Sequence, residues 1–287
     1  MTAIYGREVR AYFTGMTGYV FVAFLLIFAG MYTMIYNLNN GYPNFEYVLE
    51  SMSVIYLIAI PILSMRAIAE ERRQKTDQLL YALPVGMTRV VIGKYLAMLT
   101  VVALPCVIMA FYPILLSTFG TVSFRTAYGT LLGFFLLSAA LAAIGLLISS
   151  LTENQAVAAG LCFAVMLLLY FMSSLASFVP SSAGASLGAL LVAVLVLALV
   201  VKLFTRSTPA ALAVAIVGEG GLLAGYLAAP DAFSGLFGRV MDGLSVFERF
   251  YTFADGVFDL TAALYFLTII GVCLFLAVQS MEKRRWS

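Results

Sequence analysis

The chain has 287 residues, of which 63% are hydrophobic and only 10% charged, with a formal net charge of +2. A soluble domain carries about 25% charged residues, and one of this size still exposes roughly a quarter of its unfolded surface, so this much apolar surface must meet lipid. A soluble enzyme, a secreted disulfide scaffold and a disordered regulator are excluded.

At the start, Ile4, Tyr5, Val9, Tyr12 and Phe13 fall on one side of a helical wheel, opposite Arg7 and Arg10. This predicts an amphipathic helix over residues 1–16, lying on the inner leaflet before the first span. Glu8 interrupts the apolar side, and a charge there calls for a basic partner. Crossing the hydrocarbon core takes about 20 apolar residues. Eight runs are candidates: Gly18–Tyr36, Met52–Ile68, Val90–Leu116, Tyr128–Ser149, Ala156–Val179, Leu187–Phe204, Ala210–Ala229 and Leu260–Val278. They predict an all-α polytopic transmembrane helical bundle, a single domain over residues 1–287. The second run is short and contains Pro61; the third contains Lys94, Pro105 and Pro113. Membrane helices tolerate such prolines where neighbours satisfy the freed carbonyls. The first run exceeds the ~7–15-residue apolar core of a signal peptide and lacks a clear small-residue cleavage site, so it is expected to stay as a span.

Orientation follows from Lys and Arg in short loops. With the N-terminus cytoplasmic, 13 of the 16 basic residues lie inside: Arg7, Arg10, Arg66, Arg72, Arg73, Lys75, Arg89, Lys94, Lys202, Arg206, Lys283, Arg284 and Arg285. Arg125, Arg239 and Arg249 fall outside. Both termini are therefore expected in the cytoplasm, with Asn37–Ser51 and Pro230–Asp259 facing outward. In the latter, Phe233, Leu236, Phe237, Val240, Leu244 and Phe247 recur near helical period, which predicts a helix at the outer interface. It serves either to cap the bundle or as a platform for a substrate or partner.

The densest charge lies in Arg66–Lys94. Glu71 precedes Lys75 by four residues, the favourable order for a helix-surface pair. Ile68, Leu79 and Leu83 share one face, while Glu70, Glu71, Gln74, Asp77 and Gln78 spread over the other. Pro84-Val85-Gly86 then ends the helix. A two-faced helix suits docking to a soluble partner; a solvated loop obeying the positive-inside rule fits the same pattern.

Catalytic chemistry has little to stand on. The spacing from Gly86 to Gly93-Lys94 is too long for a phosphate loop, and Tyr95 stands where Ser or Thr is needed. No span holds paired carboxylates or a Ser–Lys dyad. There is no histidine, and Cys106, Cys162 and Cys273 sit singly in apolar runs, so neither a metal site nor a disulfide framework is expected. The near-neutral chain implies no nucleic-acid partner. Glu219 is the one ionisable residue deep in a span, amid Gly218, Gly220, Gly221 and Gly225. It marks a substrate path, or sits protonated at a helix contact, or lies near an interface.

Several stretches resemble a known family. RAIAEERRQKTDQLLYALPVGMTRVVIGKYLA (Arg66–Ala97) is similar to the first cytoplasmic loop of type-2 ABC exporter permeases. GLLISSLTENQAVAA (Gly145–Ala159) resembles the turn between their fourth and fifth spans. The segments Arg7–Phe21 and Phe247–Trp286 resemble the gliding-motility branch. The resemblance implies a six-span permease core, with residues 187–229 as two extra spans, in a bacterial cell membrane. It implies a permease without its own ATPase, paired with a second copy or related permease on two ABC ATPase subunits that hold ATP and Mg. By position, Ile4–Phe13 would be the connecting helix and Arg66–Leu83, within the 66–89 loop, the coupling helix. The ATPase-coupling residues are then Glu70, Glu71, Arg72, Arg73, Lys75, Thr76 and Asp77, with Thr152, Glu153 and Asn154 as a second contact. An extracytoplasmic accessory subunit would give residues 230–259 a partner. The function implied is ATP-driven export or extraction of an amphiphilic substrate. The alternative is a scaffold that does mechanical or signalling work on an envelope partner; a self-sufficient channel or secondary transporter comes third.

Overall fold

The computed structural model describes residues 2–75, 86–205 and 207–285. Among these residues every regular element is helical. In chain order they are α1 (Thr2–Thr14), α2 (Thr17–Thr33, continued by a π-helical turn, Met34–Asn39), α3 (Glu46–Ser53), α4 (Tyr56–Ser64), α5 (Ala69–Arg73), α6 (Met87–Met109), α7 (Tyr112–Leu116), α8 (Phe124–Leu151) and α9 (Gln155–Tyr170). There follow α10 (Met172–Ser177), α11 (Ala183–Thr205), α12 (Thr208–Ala228), a 3-10 turn (Pro230–Phe233), α13 (Leu236–Leu244), α14 (Val246–Ala254) and α15 (Leu260–Arg285).

Among the described residues, five stretches are long and apolar enough to cross a membrane: Thr17–Asn39, Met87–Leu116, Phe124–Leu151, Thr208–Ala228 and Leu260–Arg284. The pair α3 and α4, bent by 59°, makes a sixth if it is one broken span. Two further apolar helices, α9 and α11, overlap the fifth and sixth expected runs; the fifth is cut short, because α9 ends at Tyr170 and α10 takes up Met172–Ser177. The second expected run differs most. It starts six residues earlier, inside the segment read as an outer loop, and breaks at Val54-Ile55, whereas Pro61 sits within α4 without ending it.

The chain divides into two compact units, Met1–Leu168 with Arg249–Ser287, and Leu169–Glu248. In the first, α8 is the central post, and α4, α6 and α15 all pack on it. Its small residues make this possible. Ala139, Ala140, Ala142 and Ala143 are all buried, and Gly133 and Gly145 leave no room for a Cβ beside Phe253 and Ser64. Tyr56 of α4 stacks on Phe134 at 4.4 Å between ring centroids.

In the second unit, α11 and α12 form an antiparallel hairpin. Ser207 caps α12 by accepting from the Ala210 N–H, with Pro209 in the first turn. Gly218 lies so close to Val194 that a Cβ would stand 2.7 Å from its Cγ1. The outer segment expected as one helix is divided. Gly235 in left-handed backbone (φ 64°) separates the 3-10 turn from α13, and an extended Ser245 separates α13 from α14. The Ser245 hydroxyl accepts from the Glu248 N–H, satisfying a donor in the first turn of α14.

Candidate functional site

Among the described residues the most deeply buried charge is Lys94, about two turns into α6, whose side chain is only 2% exposed. Burying an ammonium costs several kcal/mol unless it is paired and hydrogen-bonded. Here Nζ lies 2.8 Å from Glu71 Oε1 and 3.2 Å from Glu8 Oε1. Arg7 Nη2 donates to the same two oxygens, at 2.6 Å to Glu8 and 3.1 Å to Glu71. Two cations and two carboxylates therefore cancel, and they join α1, α5 and α6. The hydrogen bond to Glu8 is the main cause that holds the Arg7 guanidinium above its ordinary pKa.

The network exists because α1 lies along the first half of α6. Gly93 admits Ile4, whose Cγ2 would be 3.1 Å from a Cβ at that position. Further along, the Tyr5 hydroxyl meets Thr100 Oγ1 at 2.8 Å. Buried Tyr12 donates to the Leu63 carbonyl at the end of α4. The basic partner that Glu8 calls for is thus Lys94. Beside the network opens a cleft of about 440 Å³, lined among others by Arg7, Glu8, Arg66, Glu70, Glu71 and Lys94. On its rim Arg66 pairs with Glu70 at 3.4 Å and donates to Thr17 Oγ1 at 2.6 Å.

A second anchor fixes the loop to α8. The Ser149 hydroxyl accepts from the Ile68 and Ala69 N–H groups, both at 3.1 Å, and donates to the Met65 carbonyl. One buried side chain thus satisfies two orphan donors at the start of α5. Arg72, 5% exposed, donates from Nη1 to the Thr152 carbonyl. Glu153 pairs with Arg284 of α15 at 2.9 Å, and Arg284 also donates to the Leu151 carbonyl. Asn154 Oδ1 accepts from the Ala156 N–H and starts α9.

One end of the first unit thus assembles Glu70, Glu71, Arg72 and Arg73 with the turn Thr152–Asn154. Glu70 is half-buried, while Arg73 and Lys75 are exposed. A continuous helix over Arg66–Leu83 is not what forms. Residues 66–68 are a turn drawn onto Ser149, the helix runs only from Ala69 to Arg73, and Lys75 takes left-handed backbone (φ 56°). That break removes the regular spacing on which a Glu71–Lys75 pair depended. Instead of the polar outer face, Glu71 serves Lys94 and Arg7. Thr76, Asp77, Leu79 and Leu83 lie outside the described residues. Glu219 is half-buried, twelfth of the 21 residues of α12, and belongs to the second unit. No group of three or more potential metal ligands occurs among the described residues.

Residues 31–279 match the family model described as "ABC-2 family transporter protein". The chain belongs to the ABC-2 transporter family. No curated protein matches it. In this multi-pass ABC-2 membrane protein the matched region includes Glu71, Lys94 and Glu219, whereas Arg7 and Glu8 precede it. Sequence reading missed Ser149 and Arg284, because a serine within an apolar run and an arginine near a chain end carry no signal of their own.

Proposed function

We propose that the chain is the permease subunit of an ABC transporter, driven by separate ATPase subunits and exporting or extracting an amphiphilic substrate. The observation that supports this reading best is the Arg7–Glu8–Glu71–Lys94 network. It ties a loop with exposed charges to a membrane helix through a buried ion cluster. Charges that dock a partner belong on a surface, and charges that carry its motion inward belong in a rigid, low-dielectric contact. Arg73 and Lys75, with Glu70 behind them, suit the first role. Glu71 and Arg72, linked to Lys94 and to the 152–154 turn, suit the second.

In this reading the loop, the 152–154 turn and both chain ends face the cytoplasm, as the excess of basic residues there requires. Two ATPase subunits hold ATP and Mg, because this chain has no phosphate loop. A second copy or related permease completes the dimer. The bent pair and the two further apolar helices join the five long ones to make eight spans. The gliding-motility resemblance gives α13 and α14 an accessory protein to meet, in a bacterial cell membrane. When the ATPase subunits close on ATP, the loop moves. Glu71 then pulls Lys94 and Arg7 with it, so α6 and α1 shift together.

The test is copurification of the permease with its ATPase, together with ATP hydrolysis by the complex. Arg73→Glu with Lys75→Glu reverses two exposed charges that the fold does not use. The expected result is a folded permease that retains less ATPase. Undiminished retention with undiminished hydrolysis would refute the docking role.

A further inference from the structure

We infer that the α11–α12 hairpin carries a mid-membrane site for a lipophilic cation, with the Glu219 carboxylate as its counter-ion. The antiparallel register is set by Gly218 against Val194, which puts Glu219 level with Ala193 and Val194. From Leu187 to Val201 every residue of α11 is apolar, and between Thr208 and Tyr226 Glu219 is the only polar residue of α12. The nearest cation along α11 is Lys202, eight residues beyond Val194, or about 12 Å at 1.5 Å per residue. Beyond the other end of α12, Arg239 is spent on the carbonyls of Ala232 and Ser234. Ala228, where α12 ends, is nine residues from Glu219, about 13 Å. Among the described residues of this unit, the hairpin therefore brings no cation to its one carboxylate.

The membrane-length stretch of α12 is only 6% buried, and Ile216 and Leu223, about one turn either side of the carboxylate on the same face, are 69% and 46% exposed. At Gly220 and Gly221 nothing lies within 4 Å of where a Cβ would be. The surface next to Glu219 is thus apolar, flat and open from the side. A charged residue at mid-span is costly to insert, and such residues face a partner or a pathway. A ligand with one positive charge and a bulky apolar body meets both features, neutralising the carboxylate and covering the open apolar face. For transport, this names the substrate class of the export reading above and rests on it; the binding site itself does not.

The experiment uses the full-length protein in phosphatidylcholine nanodiscs, titrated with tetraphenylphosphonium, whose charge does not depend on pH. The anion tetraphenylborate, of similar shape, is the control. Saturable binding of the cation is expected, at least tenfold weaker in Glu219→Gln and retained in Glu219→Asp, with no such pattern for the anion. Gly220→Val, which crowds the open surface next to the carboxylate and keeps the charge, should weaken cation binding as well. No saturable binding, or equal affinity in the wild type and Glu219→Gln, would overturn the site. A change of oligomeric state in Glu219→Gln with cation binding intact would also overturn it, assigning the carboxylate to a second copy. ATPase retention, measured on the same preparations, is expected to stay at the wild-type level. Its absence from the wild type would count against the permease reading and leave the binding result standing.

Discussion

The ammonium of Lys94, within the span Met87–Leu116, lies 2.8 Å from Glu71 of the five-residue helix α5, which belongs to none of the membrane-length stretches. Lys94 therefore belongs to two structures at once: a span by covalent connection, and a loop by charge. Removing it should leave Glu8 and Glu71 without their buried cation. Lys94→Met is expected to lose about 3–5 kcal/mol, as for other buried pairs with one partner deleted, read as a lower thermal midpoint in detergent. Combining it with Glu8→Gln should cost less than the sum of the two changes, by on the order of 0.5–3 kcal/mol. Strict additivity would show that the two side chains do not act together.

Ser149 gives a more local prediction. Ser149→Ala removes one acceptor shared by the Ile68 and Ala69 N–H groups, and each buried unsatisfied donor costs about 1–3 kcal/mol. Hydrogen exchange at residues 66–73 should accelerate while α8 itself stays protected. Unchanged exchange there would mean that the hydroxyl does not anchor the loop.

A pH effect is expected at the start of α15. The backbone N–H of Thr261 donates to Asp259 Oδ1 at 2.8 Å and is the main cause that holds this carboxylate below its ordinary pKa. A depressed carboxylate stabilises the fold above the unfolded value near about pH 4, and the contribution fades as pH falls through the lower folded value. Exchange of the Thr261 amide should rise below about pH 4 in the wild type, and Asp259→Asn should remove that step. Because Asp259 keeps contact with solvent, which screens its charge, global stability should hardly respond.

Much of this was legible in the residues. Glu8 on an apolar helical face called for a cation, whereas Lys94 was counted only among the cytoplasmic basic residues. What joined them was the approach of Ile4 to Gly93, a contact between distant segments that no local period reveals. The loop shows the opposite failure. The wheel over Arg66–Leu83 assumed uninterrupted helix and placed Glu71 outside. The actual start at Ala69 depends on Ser149, about 80 residues away along the chain, and so turns Glu71 and Arg72 inward. The bend at Val54-Ile55 carries neither Pro nor Gly and was invisible for that reason, whereas Gly235 is a break that the sequence displays. The 13-to-3 division of basic residues bears on sidedness.

Sidedness is open to direct measurement in a background lacking Cys106, Cys162 and Cys273. Gln74→Cys should be shielded from a membrane-impermeant thiol reagent in intact cells, and Asn40→Cys should react. The reverse pattern would invert the topology, and the docking face with it.

The sharpest prediction compares neighbours. Glu70→Lys and Glu71→Lys make the same charge change one residue apart, and by sequence alone they are equivalent. In the structure they are not. Glu70 pairs with Arg66 at 3.4 Å on the rim, both side chains being more than one-third exposed. Such pairs are worth about 0–1 kcal/mol, so Glu70→Lys should leave the permease folded and change only its hold on the ATPase. Glu71 accepts from buried Lys94 and from Arg7. Glu71→Lys would place a third cation where two already depend on that carboxylate, in a site that solvent screens poorly. The permease itself should then lose stability by several kcal/mol and detach α1 from α6. Proteolysis of α1, thermal midpoint and ATPase retention, measured side by side, separate the cases. Equal behaviour of the two variants would mean that the network does not organise this end of the unit, and Lys94 would then have to be neutralised in some other way.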